Sequence, residues 1–91
     1  MNILIIKLGA IGDVIRTTSI LPGLKDKYKN CKIDWVTKSE SFYVLKNNNL
    51  ISNVYLINKN LLKKLNKKYN LVINLDDDYE ACELASKVSS K

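Results

Sequence analysis

The side chains in this sequence that could do chemistry are concentrated in one short segment, Lys7–Ser19, which reads KLGAIGDVIRTTS. The segment combines two glycines, the carboxylate of Asp13, the guanidinium of Arg16 and three hydroxyl side chains. Asp13 and Arg16 are three residues apart, a spacing that puts them on the same face of a helix. A positioned carboxylate next to a group that binds anions suits the deprotonation of a hydroxyl on an acidic substrate.

The glycine spacing in this segment, G-x-x-G-D, differs from two common phosphate-binding motifs. It matches neither the G-x-G-x-x-G fingerprint of dinucleotide-binding folds nor the G-x-x-x-x-G-K-[ST] phosphate loop. We expect Gly9 and Gly12 to permit positive φ angles and the close approach of a ligand to the backbone. Asp13 follows at the predicted start of a helix, where the helix dipole stabilises a negative charge.

Each of these residues also has a purely structural interpretation. Asp13 could serve only as an N-cap, and Arg16 could simply pair with Asp13 or with Asp76. The hydroxyl residues Thr17–Ser19 could be small, packed helix residues. A catalytic role for Asp13 therefore requires that its carboxylate face an open groove and not be buried inside the protein.

The rest of the chain alternates between predicted strands and helices. Continuous or alternating apolar runs indicate the strands, and an apolar period near 3.6 residues indicates the helices. The predicted strands are Asn2–Lys7, Cys31–Thr37, Val54–Ile57 and Leu71–Leu75. The predicted helices that alternate with them are Asp13–Tyr28, which Pro22-Gly23 kinks or splits, a helix from an N-cap at Ser39 to Lys46, Leu61–Lys68 and Tyr79–Val88. The third helix should face inward through Leu61, Leu62 and Leu65, and the fourth should be buried through Ala81, Cys82, Leu84, Ala85 and Val88. This alternation predicts an α/β fold, a three-layer Rossmann-like parallel sheet with right-handed crossovers.

The predicted topology gives the site a position. In open parallel sheets, ligands bind outside the carboxyl ends of the strands, where the connections change direction. If the first and fourth strands are neighbours, the loop at Lys7–Arg16 faces the acidic run Asp76–Asp78. That run could cap the last helix or bind magnesium. Trp35 and Tyr43 are predicted to be core residues.

The composition limits the partners and the compartment. The 91 residues suggest one small domain at residues 1–91, and the net charge of +6 comes almost entirely from dispersed lysines, so we expect no nucleic-acid partner. No apolar run is long enough for a membrane span, and no charges precede the first apolar run as they would in a signal peptide. We therefore expect a cytoplasmic protein.

The cysteines and the strand count give two further expectations. Cys31 and Cys82 are expected to be free and buried, and because the chain has no histidine, a Cys–His metal site is excluded. Four predicted strands are few for a doubly wound domain, which often has about five or six. We therefore expect the chain to be a fragment of a longer one.

Three segments together resemble a known family. IIKLGAIGDVIRTTSIL, then IDWVTKSES, then LVINLDDDYEACELA are similar, in order and at family-like intervals, to the amino-terminal half of the family 9 glycosyltransferases. These are the ADP-heptose:lipopolysaccharide heptosyltransferases and their relatives. The G-x-x-G-D element is the most specific part of the resemblance, and the N-L-D element after the fourth strand supports it.

The resemblance implies an activity and a set of site residues. Such enzymes have the GT-B architecture, in which an amino-terminal domain receives the acceptor and a carboxyl-terminal domain binds the nucleotide-sugar donor. The chain would be half of such an architecture, without the donor domain and therefore inactive alone. Sugar transfer would invert the anomeric centre and need no metal or other cofactor. Asp13 would be the general base, and the residues on the acceptor side would be Lys7, Gly9, Gly12, Arg16, Thr17 and Asp76.

The resemblance also implies partners. The donor would be a nucleotide-sugar similar to ADP-heptose, bound mainly by the missing domain. The acceptor would be a lipopolysaccharide-type or other surface glycan or a lipid-linked glycan, with peripheral association at the inner membrane. Pro22-Gly23 departs from the family pattern, because helix-favouring residues are usual there.

Two other functions compete with this hypothesis. One is a receiver-like domain that binds phosphate or magnesium at Asp76–Asp78, but Asn58-Lys59-Asn60 follows the third strand, where such domains carry a phosphorylatable aspartate. The other is a non-catalytic Rossmann-like binding module. An open reading frame that continues for another domain length would favour the transferase.

Overall fold

A computed structural model describes residues 1–58, 61, 65, 69–76 and 78–88 of the chain. The strands are β1 (Asn2–Ile6), β2 (Lys32–Thr37), β3 (Asn53–Leu56) and β4 (Leu71–Asn74). The helices whose bounds are described are α1 (Ile11–Thr17), α2 (Leu21–Lys27), α3 (Ser39–Lys46) and α4 (Tyr79–Val88), with a 3₁₀ turn at Thr18–Ile20. Most of the predicted helix at Leu61–Lys68, including Leu62, lies outside the described residues, although Leu61 and Leu65 are buried as predicted.

The strands form one parallel sheet in the order β3-β2-β1-β4, which confirms the predicted α/β class and the predicted neighbourhood of the first and fourth strands. β1 is central, with Ile5 opposite Trp35 of β2 on one side and Ile73 of β4 on the other. Both faces of such a sheet must be covered, because its strands are apolar on both sides. Accordingly Leu4 and Ile6 belong to one core cluster, whereas Ile3 and Ile5 belong to the other.

The first predicted helix is divided in two, but not at Pro22-Gly23. The interruption is the 3₁₀ turn at Thr18–Ile20, and Pro22 lies in the first turn of α2, where a missing N–H costs nothing. The hydroxyls of Thr17 and Thr18 donate to the carbonyls of Asp13 and Ile15, at 2.7 and 2.6 Å. Hydroxyls that bond back to the preceding turn often bend a helix, which accounts for the change of path here.

Several sequence predictions were wrong in detail. Ser39 is the first residue of α3 and Lys38 is its N-cap, without a side-chain cap. Tyr43 is 76% exposed on the outer side of α3, whereas Trp35 is fully buried as predicted. Cys31 is buried but Cys82 is exposed. Ala81 and Leu84 of α4 are buried as predicted, and Ala85 and Val88 pack, partly buried, against the same core cluster. Cys82 lies about 100° around the helix from Ala81, which places it outside this stripe. Within the described ranges, no helix is long and apolar enough to cross a bilayer.

Candidate functional site

The loops after β1 and β4 meet at the carboxyl edge of the sheet, as the topology predicted. The backbone N–H of Leu8 donates to Oδ2 of Asp76 at 2.7 Å, and the Lys7 ammonium donates to the carbonyl of Leu75 at 3.2 Å. These contacts follow from the adjacency of β1 and β4. The last backbone hydrogen bond between the two strands runs from the N–H of Leu75 to the carbonyl of Ile6, directly before the two loops begin. The structure thus joins Lys7 and Asp76, two of the predicted site residues.

The Asp76 carboxylate is held by several backbone groups. Its Oδ1 accepts the N–H of Asp78 at 3.4 Å, and its own N–H donates to the side-chain oxygen of Asn74 at 3.0 Å. Partial burial acts to raise the pKa of Asp76. Hydrogen bonds from the backbone of Leu8, Asp78 and Gly9, together with the positive charge of Lys7, outweigh that burial, so the pKa lies below its ordinary value. Asp76 is therefore an anion that the loop after β1 helps to stabilise.

The two glycines of the motif do not use the backbone freedom that the sequence analysis expected them to need. All three glycines of the chain are described, and none has a positive φ. A Cβ at Gly9 would lie 3.7 Å from Nζ of Lys7 and 4.0 Å from Oδ2 of Asp76, which are ordinary contacts. A Cβ at Gly12 would meet nothing within 4 Å, because Gly12 lies on the open side of the first turn of α1. The close approach of a ligand there stays a prediction.

Asp13 and Arg16 lie side by side on the exposed face of α1. The helix begins at Ile11 with Ala10 as its N-cap, so Asp13 is in the first turn and is not the N-cap. Nη1 of Arg16 lies 3.3 Å from Oδ1 of Asp13, and the side chains are 81% and 54% exposed. The Asp13 carboxylate is therefore not buried inside the protein, which meets one part of the condition for a catalytic role. That it faces an open groove stays a prediction. Arg16 contacts Asp13 and not Asp76, which was the other structural alternative.

The predicted site residues therefore fall into two adjoining groups. The first group lies across the loops after β1 and β4 and consists of Lys7, Gly9 and Asp76. The backbone N–H of Gly9 and the positive charge of Lys7 both lower the pKa of Asp76, and a Cβ added at Gly9 would lie 4.0 Å from Oδ2 of Asp76. Asp13, Arg16 and Thr17 form the second group, in which the Thr17 hydroxyl donates to the backbone carbonyl of Asp13. Gly12 lies next to the second group in the sequence.

Sequence reasoning missed Lys38 and Leu8. Nζ of Lys38, directly after β2, lies 3.8 Å from Oδ2 of Asp78, beyond β4. Because β2 and β4 flank β1, this ion pair spans the loop that follows β1. Leu8 contributes through its backbone N–H, so its side-chain type gave no signal. A lysine after a strand is too common to have indicated Lys38.

The acidic run after β4 does not form a metal site within the described residues. Asp77 lies outside them, and both carboxylate oxygens of Asp76 accept backbone hydrogen bonds. In the part of the chain that the structure describes, no group of three or more His, Cys, Asp or Glu side chains is arranged to hold a metal ion. What the site offers is an exposed carboxylate, Asp13, with cationic side chains at Arg16, Lys7 and Lys38 on the same edge of the sheet.

Comparison with known proteins identifies the fold. No protein-family model and no curated protein matches the chain. Among solved structures, a family 9 glycosyl transferase from Veillonella parvula matches with a TM-score of 0.83 and 24% identity, over 96% of this chain and 29% of that one. The Escherichia coli heptosyltransferase WaaC with ADP matches with a TM-score of 0.67 and 23% identity, over 81% of this chain and 27% of that one. Escherichia coli ADP-heptose LPS heptosyltransferase II matches with a TM-score of 0.79 and 19% identity, over 98% of this chain and 29% of that one.

The chain thus spans less than a third of each of these proteins. At this level of identity the likeness concerns the fold. It agrees with the predicted Rossmann-like α/β class, and the chain has the fold of a part of these glycosyltransferases.

Proposed function

We propose that this chain is the amino-terminal, acceptor-side domain of an inverting, metal-independent GT-B glycosyltransferase. The enzyme transfers a heptose-like sugar from a nucleotide-sugar such as ADP-heptose to a hydroxyl of a lipopolysaccharide-type or other surface glycan. The donor is bound mainly by a second domain, and residues 1–91 alone are inactive. The proposal is supported by the G-x-x-G-D motif after β1 and by the folds of the similar structures, which are named as a family 9 glycosyl transferase and as heptosyltransferases.

One observation carries the proposal: the Asp13 carboxylate is accessible at the carboxyl edge of the sheet. Oδ1 lies 3.3 Å from the Arg16 guanidinium, and the side chain is 54% exposed. In the reaction, Asp13 takes the proton of the acceptor hydroxyl while the hydroxyl oxygen forms a bond to the anomeric carbon of the sugar. The bond from that carbon to the nucleotide phosphate breaks on the opposite side, so the configuration inverts and the nucleotide diphosphate leaves with the electron pair.

The residues around Asp13 bind and orient the acceptor. Arg16 is 81% exposed and can turn from Asp13 to bind a phosphate or carboxylate of the acceptor in a bidentate manner. Lys7 adds a second positive charge at the edge of the sheet. The Thr17 hydroxyl already donates to the carbonyl of Asp13, so its oxygen is oriented to accept a hydrogen bond from an acceptor hydroxyl. Gly12 leaves open space beside Asp13.

The test uses the full-length product of the gene that encodes this chain, with ADP-heptose and a lipopolysaccharide-core acceptor. We expect Asp13→Asn to lower kcat by about 10²–10⁴-fold, the usual contribution of a general base, with an unchanged unfolding midpoint. Asp26→Asn is the matched control. Asp26, in the last turn of α2, forms the same kind of exposed (i, i+3) ion pair, with Lys29 at 3.4 Å just beyond the end of that helix and away from the loop after β1.

Transfer by Asp13→Asn at the level of Asp26→Asn would contradict the proposal and leave Asp13 as a surface carboxylate. Binding of the glycan acceptor without any transfer by the wild-type protein would favour the non-catalytic binding module. Localised magnesium-dependent NMR shifts at Asp76–Asp78 would favour the receiver-like domain. Transfer by residues 1–91 alone would show that no second domain is needed.

A further inference from the structure

The loop after β1 is fixed from both sides as far as Leu8. On the side of β2, the N–H of Lys7 donates to the carbonyl of Val36 at 3.2 Å, and the indole of Trp35 donates to the carbonyl of Lys7 at 3.5 Å. The next residue, Leu8, is beyond the paired residues of β1, and its N–H is bound by the Asp76 carboxylate at 2.7 Å. The backbone pairing of β1 with β4 ends before Leu8, and there the Asp76 side chain accepts the hydrogen bond that a strand carbonyl would otherwise accept.

The distance along the chain from this contact to the proposed base is short. The side chain of Leu8 is 1% exposed in the core, and only Gly9 and Ala10 separate Leu8 from the start of α1. Asp13 lies in the first turn of that helix. The backbone at Leu8 is therefore connected to Asp13 by two residues and part of one helical turn.

We propose that Asp76 is a positioning residue, whose carboxylate fixes the backbone at Leu8 and thereby sets the position of Asp13. The predicted contact of Asp76 with the acceptor stays a prediction; the hydrogen bonds support this second role. The inference rests on the proposed function where it concerns catalysis, but the contact between the two loops can be tested without it.

The Asp76 carboxylate is itself well placed for this role. Its backbone N–H is bound by the side chain of Asn74, and the N–H of Asp78 donates to its other oxygen. Hydrogen bonds within the segment after β4 therefore orient the Asp76 carboxylate toward the N–H of Leu8. The positive charge of Lys7 favours its ionised form, which is the stronger acceptor for a backbone N–H.

The first experiment follows the backbone amides of the full-length protein by ¹⁵N NMR as the pH is lowered. We expect the Leu8 amide to titrate with the Asp76 carboxyl, at a midpoint below about 3.9, the ordinary value for Asp. Asp76→Asn should remove that titration and shift the amides of Gly12 and Asp13. Glu80→Gln, which removes an exposed carboxylate from the first turn of α4, should do neither.

A Leu8 amide that does not respond to pH in the carboxyl range would overturn the proposal, and this result needs no variant. Unchanged Gly12 and Asp13 amides in a folded Asp76→Asn variant would overturn it as well. Because no transfer is measured, this experiment decides the contact even if the protein is not a transferase.

The second experiment measures transfer by the full-length protein. We expect Asp76→Asn to lower kcat by about 10–100-fold, as displacement of a base by up to about 1 Å does, with acceptor KM changed less than kcat. Asp76→Glu keeps the acceptor oxygens and should recover part of the loss. A raised acceptor KM at unchanged kcat would instead make Asp76 an acceptor contact and would contradict the positioning role.

Discussion

The hydroxyl of Tyr69 donates a 2.6 Å hydrogen bond to the carboxylate of Asp34, and both residues are buried, each 1% exposed. The other oxygen of Asp34 accepts a 3.1 Å hydrogen bond from the side chain of Asn53 at the start of β3. Burial and the bond to Asp34 both raise the pKa of Tyr69 far above its usual range, so it stays a hydrogen-bond donor. Tyr69 precedes the segment that forms β4. Asp34 lies on β2, and Leu4 of β1 pairs with Asp34 on one side and with Val72 of β4 on the other. The contact therefore ties β2 to the segment that enters β4.

Tyr69→Phe is expected to lower the free energy of unfolding by about 1–3 kcal/mol, because it leaves a buried carboxylate without one of its donors. The measurement is urea unfolding at pH 7, with a lower midpoint and an unchanged m-value. Tyr79→Phe is the control, since Tyr79 is 78% exposed. Equal stability of the two variants would show that the Tyr69–Asp34 contact does not stabilise the fold.

The acid stability of the protein is expected to depend on Asp76. Its pKa is lower in the folded chain than in the unfolded one, so its contribution is present above the unfolded value, about 3.9, and is lost as the pH falls through the folded value. Wild type should therefore be more stable than Asp76→Asn at pH 7 by a margin that is constant down to about pH 5 and shrinks below about pH 4.

Urea unfolding of both proteins between pH 7 and pH 2.5 measures that margin. Glu80→Gln serves again as the control, because it removes an exposed carboxylate from the segment that follows β4. A margin between wild type and Asp76→Asn that does not change with pH would mean that the ionised carboxylate contributes nothing specific at the loop.

The sequence was sufficient for the four strands and for the adjacency of β1 and β4. Apolar runs such as NILII and LVIN must be covered on both faces, so they predicted strands of a parallel sheet with helices on both sides, and alternation with helices then brought the loops after β1 and β4 together. The exact contact, from the Leu8 N–H to Asp76, could not be predicted. It depends on the register of β1 against β4, and a backbone donor has no signature in the sequence.

The errors have common physical causes. Pro22 suggested a break at its own position, but proline fits the first turn of a helix, and the hydroxyls of Thr17 and Thr18 determined where the path changes. Cys82 and Tyr43 were assigned to the core by residue type, whereas their positions around α4 and α3 make them exposed. Residue type predicts average burial, and the phase of the helix decides the individual case.

Arg16→Gln is expected to change acceptor binding much more than stability. The Arg16–Asp13 ion pair is exposed, and exposed pairs contribute about 0–1 kcal/mol, so the unfolding midpoint should hardly move. If Arg16 binds the anionic group of the acceptor, the acceptor KM should rise by about 10–100-fold, the loss of a charge-assisted hydrogen bond of about 1.5–3 kcal/mol.

Lys29→Gln is the matched variant, because Lys29 makes the corresponding exposed pair with Asp26. Steady-state kinetics with the anionic acceptor and with a neutral analogue separate the effects. An Arg16→Gln variant with the acceptor KM of Lys29→Gln would show that Arg16 only balances the charge of Asp13.

Gly12→Ala is expected to raise stability and to lower transfer. Gly12 has a φ that alanine can adopt, it lies within α1, and an added Cβ would meet nothing within 4 Å, so the protein should gain about 0.4–1 kcal/mol. The same methyl group would occupy the open space next to Asp13, where the acceptor is proposed to approach. The acceptor KM should therefore rise, although no existing contact has been removed.

Gly23→Ala gives the matched comparison, because Gly23 is also helical, has no positive φ and has nothing within 4 Å of its added Cβ, but it lies on α2. Thermal unfolding and transfer kinetics of both variants separate the backbone effect from the effect at the site. Both should be stabilised by a similar amount, and only Gly12→Ala should lose transfer. Equal kinetics in the two variants would mean that no substrate passes over the first turn of α1, and Asp13 would then lack the open approach that a base for the acceptor hydroxyl requires.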